Sequence, residues 1–94
     1  MKVNITYCKC VVKLIENGLS TFKTCFVLDK ANKKEATPAI MAHFGADDDN
    51  KVKVCDCEKH RINFEIPVLP NIDISATFAG SIGITVDADN IVLF

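Results

Sequence analysis

The feature that most constrains this chain is an alternation of apolar and polar residues along its first third. Within residues 2–28 apolar side chains recur at every second position, which is the period of a β-strand with one buried face. The phase shifts by one residue at Tyr7–Cys8, so that odd positions are apolar before it and even positions after it. Such a shift is typical of a β-bulge, and we therefore predict a bulged first strand.

A turn signal at Glu16–Gly18 divides this region into a β-hairpin, and the glycine suits the left-handed position of a three-residue loop. Such a loop places Val12 opposite Phe22, whereas a two-residue loop would place it opposite Lys23. Because the three-residue loop keeps one face of the hairpin apolar, the sequence predicts that loop.

The rest of the chain shows one helix signal and several strand signals. Thr37–Pro38 is typical of a helix start and Gly45 of a helix end. Alternating apolar residues predict strands at residues 51–57, 62–66, 72–78 and 82–86. Because a chain of 94 residues closes only one core, we expect a single domain, 1–94. The predicted fold is α+β and β-rich, with six or seven mainly antiparallel strands forming a sandwich or a partly open barrel, and one short helix near residues 38–44.

The last four residues, Ile91–Phe94, are apolar at consecutive positions, which predicts a strand covered on both faces. A hairpin that pairs Val86 with Ile91 would turn Val92 and Phe94 away from the core. Those two side chains would then contact either a second sheet or a partner chain. The sequence leaves both alternatives open.

Two Cys-x-Cys pairs carry the clearest chemical signal in the sequence. Four thiolates brought together form the tetrahedral site that Zn²⁺ favours. The predicted zinc ligands are Cys8, Cys10, Cys55 and Cys57, with His60 as an alternative ligand. Since the spacing differs from the Cys-x₂-Cys of zinc fingers and ribbons, buried free thiols and disulfide or redox chemistry stay open as alternatives. The parity of the predicted hairpin puts Cys25 on the opposite face, as a spectator.

Composition and charge exclude several classes of protein. Eleven basic and twelve acidic side chains leave a net charge of −1, and every basic residue except Arg61 is a lysine, which argues against a nucleic-acid binder. The N-terminus does not resemble a signal peptide, and no apolar run reaches the roughly 18–20 residues of a membrane span, so a cytoplasmic location without membrane contact is predicted. Catalytic motifs are absent from the sequence, so neither an enzyme nor a small-molecule substrate is expected.

These observations predict a small non-enzymatic structural or protein-interaction domain, stabilised by zinc and associating with another protein or with itself. Phage accessory proteins, inhibitors and virion components are chains of this general kind. The alternatives are a metal carrier or sensor and a thiol-redox protein that uses the Cys-x-Cys pairs.

Overall fold

The computed structural model describes residues 2–45, 51–65 and 74–94, which form one mixed four-stranded sheet with a helix on each face. The elements are, in chain order, β1 (Lys2–Glu16), β2 (Leu19–Leu28), α1 (Lys33–Phe44), β3 (Val52–Glu65), α2 (Ile74–Ser81) and β4 (Asn90–Leu93). The strand order is β3-β1-β2-β4, with β1 antiparallel to both of its neighbours and β4 parallel to β2. The α+β class agrees with the prediction. The prediction of six or seven mainly antiparallel strands in a sandwich or barrel, with one helix, was wrong, because the described residues form one mixed sheet of four strands and two helices.

The hairpin between β1 and β2 has a two-residue turn rather than the predicted three-residue loop. Asn17 and Gly18 have φ values of 51° and 77°, the left-handed pair whose twist matches that of a hairpin. Val12 is therefore opposite Lys23, the pairing rejected from sequence because it places a lysine on the apolar face. The structure accommodates this lysine because its Nζ reaches Asp89 Oδ1 at 2.9 Å.

The phase shift at Tyr7–Cys8 does not mark a bulge, because β1 pairs regularly with both neighbours there. Instead, the shift marks the point where the buried face of β1 changes: Tyr7 is buried against one helix and Cys8 against the other. The bulge lies in β3, where Val12 pairs with Val54 although Val11 pairs with Asp56. The extra residue in the bulge is Cys55.

The first half of the core, which we call the α1 cluster, is built from small side chains under α1. Its fully or nearly buried members are Cys8, Cys10, Val12, Cys25, Val27, Ala36, Ile40, Val52 and Val54. Met41 and Phe44 of the same helix pack against it. Small side chains allow a helix to lie close to the sheet.

The helix α1 begins five residues before the predicted Pro38. Asn32 caps it by accepting a hydrogen bond from Glu35 N (2.9 Å), and Glu35 Oε2 accepts one from Ala31 N (2.8 Å). Two backbone donors are thereby satisfied at the start of the helix, and Pro38 lies inside it. Gly45 ends the helix with φ 65°, as predicted.

The second half of the core, the α2 cluster, is aromatic and lies on the other face. Its buried members are Tyr7, Phe26, Leu28, Phe64 and Phe78. The predicted strand at residues 72–78 is wrong where the structure describes it, because residues 74–81 form α2. Residues 66, 72 and 73 of the predicted strands lie outside the described residues. Ile74, Phe78 and Ile82 are four residues apart. Residues at that spacing share one face of a strand and also lie close to one face of a helix, so a helix satisfies the same apolar pattern.

The predicted strand at residues 82–86 is also absent from the described structure, because these residues end α2 and lead into β4. Gly83 adopts φ 77°, while Ile84 N donates to Ala79 O (2.9 Å) and Gly83 N to Gly80 O (3.3 Å). This pair of hydrogen bonds is the Schellman motif that terminates a helix. Gly83 is therefore a helix-end signal that the alternating pattern concealed.

The strand β4 is covered on both faces, as its apolar sequence predicted, but by the two helices. Ile91 and Leu93 pack in the α1 cluster, and Val92 packs in the α2 cluster. The predicted hairpin between Val86 and Ile91 is wrong, because Ile91 pairs in parallel with Cys25 of β2. Val92 is thus partly buried against the α2 cluster, whereas Phe94 is exposed.

Candidate functional site

The two Cys-x-Cys pairs lie on neighbouring strands, and one cysteine of each joins the other in a disulfide. Cys10 of β1 is directly opposite Cys57 of β3, with their Cα atoms 4.1 Å apart, and their sulfur atoms are bonded. The side chains of directly opposite residues project from the same face of a sheet. The sulfur atoms therefore lie under α1, at the edge of the α1 cluster.

The remaining two predicted ligands do not join this pair. Cys8 Sγ donates a hydrogen bond to Lys30 O at 3.3 Å, and Cys55 Sγ donates to Lys53 O at 3.8 Å from its place in the bulge. Cys55 has no position opposite it in β1, because the bulge interrupts the alternation that would place its side chain on the same face as Cys57.

The zinc site predicted from Cys8, Cys10, Cys55 and Cys57 is therefore wrong. Zinc binds thiolates, and the sulfurs of Cys10 and Cys57 are consumed in a disulfide. Within residues 2–45, 51–65 and 74–94 there is no group of three His, Cys, Asp or Glu side chains able to hold a metal ion. The zinc-stabilised domain and the metal carrier or sensor fail with it. The disulfide alternative is confirmed, because a disulfide joins one cysteine of each Cys-x-Cys pair.

His60, the alternative ligand, lies on the other face of β3. Its ring stacks on Tyr7, with the ring centroids 5.3 Å apart and the planes at 20°. The buried Nε2 atom has no hydrogen-bond partner among the described residues, and Glu58 Oε2 is 3.9 Å away. His60 is thus part of the aromatic face and is separated by the sheet from the cysteines.

The prediction that Cys25 lies on the opposite face from Cys10 is wrong. The two-residue turn puts it directly opposite Cys10, on the same face and fully buried. Burial raises the pKa of the Cys25 thiol to about 11. Burial and the nearby Glu35 carboxylate likewise raise the pKa of Cys8, although Lys59 opposes them. The signal that identifies this pair is the dipeptide Asn17–Gly18, because a two-residue turn there sets the register in which Cys10 is opposite Cys25.

A second feature is the outer edge of β3, the 14-residue strand that ends the described sheet on one side. Ile15 N donates to Lys51 O (2.8 Å), and Thr6 O accepts from Asp29 N (2.8 Å). Because backbone groups alternate in direction along an antiparallel pair, these two bonds define which β3 residues point away from β1. The outward-pointing residues are Val52 and Val54 before the bulge, and Cys57, Lys59, Arg61 and Asn63 after it.

A groove of about 240 Å³ lies between this edge and α1. Its lining consists of Lys33, Thr37, Met41, Val52, Lys53 and Val54. Lys33 extends across it and donates from Nζ to Cys55 O at 3.3 Å, a carbonyl in the bulge. The groove thus has an apolar floor, a cationic rim and main-chain groups of a strand along one wall.

The side of the β3 edge that faces α1 carries an excess of cations. Lys33, Lys59 and Arg61 lie along it, and Arg61 Nη2 also donates to Asn4 Oδ1 (3.1 Å). Of the nearby acids, Glu35 already accepts the Ala31 N–H at the start of α1. The edge therefore favours an anionic neighbour.

Comparison with known proteins identifies no relative: no family model, no curated protein and no solved structure matches the chain. None of the helices within the described residues is both long enough and apolar enough to cross a membrane.

Proposed function

We propose that this protein is an interaction module that binds an extended, acidic segment of a partner protein as an additional strand beside β3. The observation that carries the proposal is the outer edge of β3, which pairs with no strand on that side within residues 2–45, 51–65 and 74–94 and presents the outward main-chain groups of six residues next to a cationic groove under α1. Strand addition of this kind obtains affinity from main-chain hydrogen bonds and specificity from pockets for alternate side chains.

The groove can hold one apolar side chain of the bound segment. Met41, Val52 and Val54 line it, and its volume suits a side chain of the size of valine or leucine. In an added strand every second residue would face α1. The residues that follow the apolar one on this face would pass Lys59 and Arg61, so acidic side chains there would be stabilised.

A second copy of this chain fits the same edge less well. An antiparallel pairing of β3 with its own copy, centred on His60, would bring Lys59 and Arg61 against the same cations of the second chain, and like charges on opposed strands are destabilising. Charged edge residues are a common means of preventing such self-association. We therefore favour a different protein as the partner.

As an interaction module, the protein would bind another protein and would need neither catalytic activity nor a nucleic-acid, membrane or small-molecule ligand. The cytoplasmic location stays a prediction. The Cys10–Cys57 disulfide bears on it, because cytosolic thiols are usually kept reduced.

The direct test is binding of a fluorescently labelled ten-residue peptide in which Glu alternates with Val or Thr, measured by fluorescence anisotropy. We expect saturable binding that weakens as salt is added, and no binding of the same peptide with Lys in place of Glu. Amide hydrogen exchange should slow at the outward N–H groups of Lys59 and Arg61 when the peptide binds. Absence of binding at millimolar peptide would overturn the proposal.

A matched pair of charge reversals separates the groove from general charge attraction. Lys33→Glu alters the groove rim, whereas Lys34→Glu makes the same change at the next, exposed position of α1. We expect about tenfold weaker binding for Lys33→Glu, about 1.4 kcal/mol, and less than a twofold change for Lys34→Glu. Equal effects of the two reversals would contradict a site in the groove.

A further inference from the structure

Three cysteines form a row across three strands of the sheet. Cys25 of β2 is opposite Cys10 of β1, and Cys10 is opposite Cys57 of β3. All three side chains project from the α1 face. Cys10 and Cys57 are bonded, and Cys25 is a free, fully buried thiol beside that bond.

Cys10 is placed to bond with either neighbour. Thr6, which shares the parity of Cys10, directs its carbonyl to β2, so Cys10 and Cys25 form a hydrogen-bonded pair. The Cα atoms in such a pair are about 5.5 Å apart, a separation at which disulfides commonly form. Moving the disulfide from Cys57 to Cys25 therefore needs rotation of side chains and no change of strand register.

We propose that Cys25 is the resident nucleophile of an internal thiol–disulfide exchange. The Cys25 thiol loses its proton to solvent and its thiolate attacks Cys10 Sγ. The Cys25–Cys10 bond forms as the Cys10–Cys57 bond breaks, and Cys57 leaves as a thiolate that takes up a proton. One disulfide is exchanged for another, so the chain is neither oxidised nor reduced and no co-reactant is needed.

The exchange changes what the disulfide connects. Before it, the disulfide ties the edge strand β3 to β1, and afterwards it ties β1 to β2, leaving a free thiol at Cys57. Cys57 is partly exposed, whereas Cys25 is fully buried, so the exchange delivers a reactive sulfur from the core to the edge of the sheet. This inference is independent of peptide binding at that edge.

Burial of Cys25 sets the pace of the exchange. Because burial raises the pKa of this thiol to about 11, only about one molecule in 10⁴ carries the thiolate at pH 7. The thiolate is the attacking species, so the rate should increase about tenfold for each pH unit up to that pKa. The exchange should therefore be slower at neutral pH than at pH 9.

The two remaining cysteines serve as matched controls. Cys8 lies two residues from Cys10 on the same face, but its register partners are Val27 and Lys59, and its Sγ donates to Lys30 O. Cys55 lies in the bulge. Neither is opposite a disulfide sulfur, so neither should take part in the exchange.

The experiment starts from protein with the Cys10–Cys57 disulfide, purified at pH 6 and then incubated at pH 9 without reductant or denaturant. Samples are quenched in acid, alkylated with N-ethylmaleimide and digested with trypsin, and the linked peptides are identified by mass spectrometry. Cleavage after lysine separates Cys10, Cys25 and Cys57 into different peptides. We expect a Cys10–Cys25 link to appear together with alkylated Cys57.

Variants establish the route. Cys25→Ala should leave Cys57 unalkylated, whereas Cys8→Ser and Cys55→Ser should exchange at the wild-type rate. The time course of Cys57 alkylation in the wild type gives the rate independently of how well any variant folds. The proposal is overturned if no Cys10–Cys25 link forms, if Cys25→Ala releases Cys57 equally fast, or if links to Cys8 and Cys55 form alongside, as in unfolded chains.

Discussion

The α1 cluster and the α2 cluster lie on opposite faces of one sheet and are built on different principles. The α1 cluster has no buried aromatic residue; it is made of small side chains and carries a disulfide at its edge. The α2 cluster holds four aromatic rings, and its helix is only eight residues long. A short helix makes few contacts, so large side chains are needed to hold it, whereas the longer α1 can pack on many small ones. The comparison predicts that stability depends mainly on one aromatic ring on the α2 side and on one cross-link on the α1 side.

The largest expected effect is the loss of the central ring of the α2 cluster. Phe78 is fully buried and its ring lies 4.9 Å from Tyr7, 6.3 Å from Phe26 and 5.9 Å from Phe64, between ring centroids. Phe78→Ala should reduce the free energy of unfolding by about 3–5 kcal/mol in urea denaturation. Ile74→Ala, at an exposed position of the same helix, should cost less than 1 kcal/mol. Similar losses for both variants would mean that no single ring dominates the stability of this side.

A somewhat smaller effect is expected from removing the disulfide at the edge of the α1 cluster. Cys10 and Cys57 are 47 residues apart, and the chain-entropy model gives about 4 kcal/mol for a loop of that size, with 2–4 kcal/mol typical. The variant Cys10→Ala with Cys57→Ala should show this loss in the same urea measurement. Cys8→Ala removes a buried thiol from the same strand without removing a cross-link, and it should cost much less. Equal losses would show that packing, rather than the cross-link, stabilises this cluster.

The smallest effect is a pH dependence that distinguishes the two clusters by their titrating groups. The pKa of Cys25, raised by burial to about 11, lies above the usual value near 9 that applies in the unfolded chain. The unfolded chain therefore loses this proton first, and the stability due to burial, fully present below pH 9, is lost between pH 9 and pH 11 by about 2 kcal/mol.

Burial also raises the pKa of Tyr7 in the α2 cluster, so its effect has the same sign over an overlapping range. Cys25→Ala isolates the contribution of the thiol and should flatten part of the decrease measured by urea denaturation at each pH. An unchanged pH profile in this variant would contradict the assignment to Cys25.

The parts of the fold that could be predicted are those in which a local pattern has one structural solution. The alternation in residues 2–28 predicted the two long strands, and Gly45 predicted the end of α1. The Asn32–Glu35 spacing is a recognisable capping signal, but Thr37–Pro38 matches the pattern of a helix start as well, and the sequence alone does not decide between them. The helix α2 was missed because its apolar residues fit both a strand and a helix over so short a segment.

The cysteine site was predicted only as far as proximity. The zinc prediction required the two Cys-x-Cys pairs to lie close together, and Cys10 does lie opposite Cys57. A single-residue change in register decides which cysteines meet, and the register here depends on the Asn17–Gly18 turn and on the bulge at Cys55. Neither is encoded in the alternation of the strands, so four thiols were predicted to converge where two bond and a third, Cys25, lies beside them.

The sequence by itself determined that this chain forms long strands, that a helix ends at Gly45, and that the strand at Ile91–Leu93 is covered on both faces, because each follows from short-range steric and solvation preferences. Only the tertiary structure decided that the phase shift at Tyr7–Cys8 is a change of face and which thiol lies opposite which. The physical reason is that apolar alternation states which side chains avoid water, but not which helix covers them, and cross-strand register depends on contacts between residues far apart in the chain.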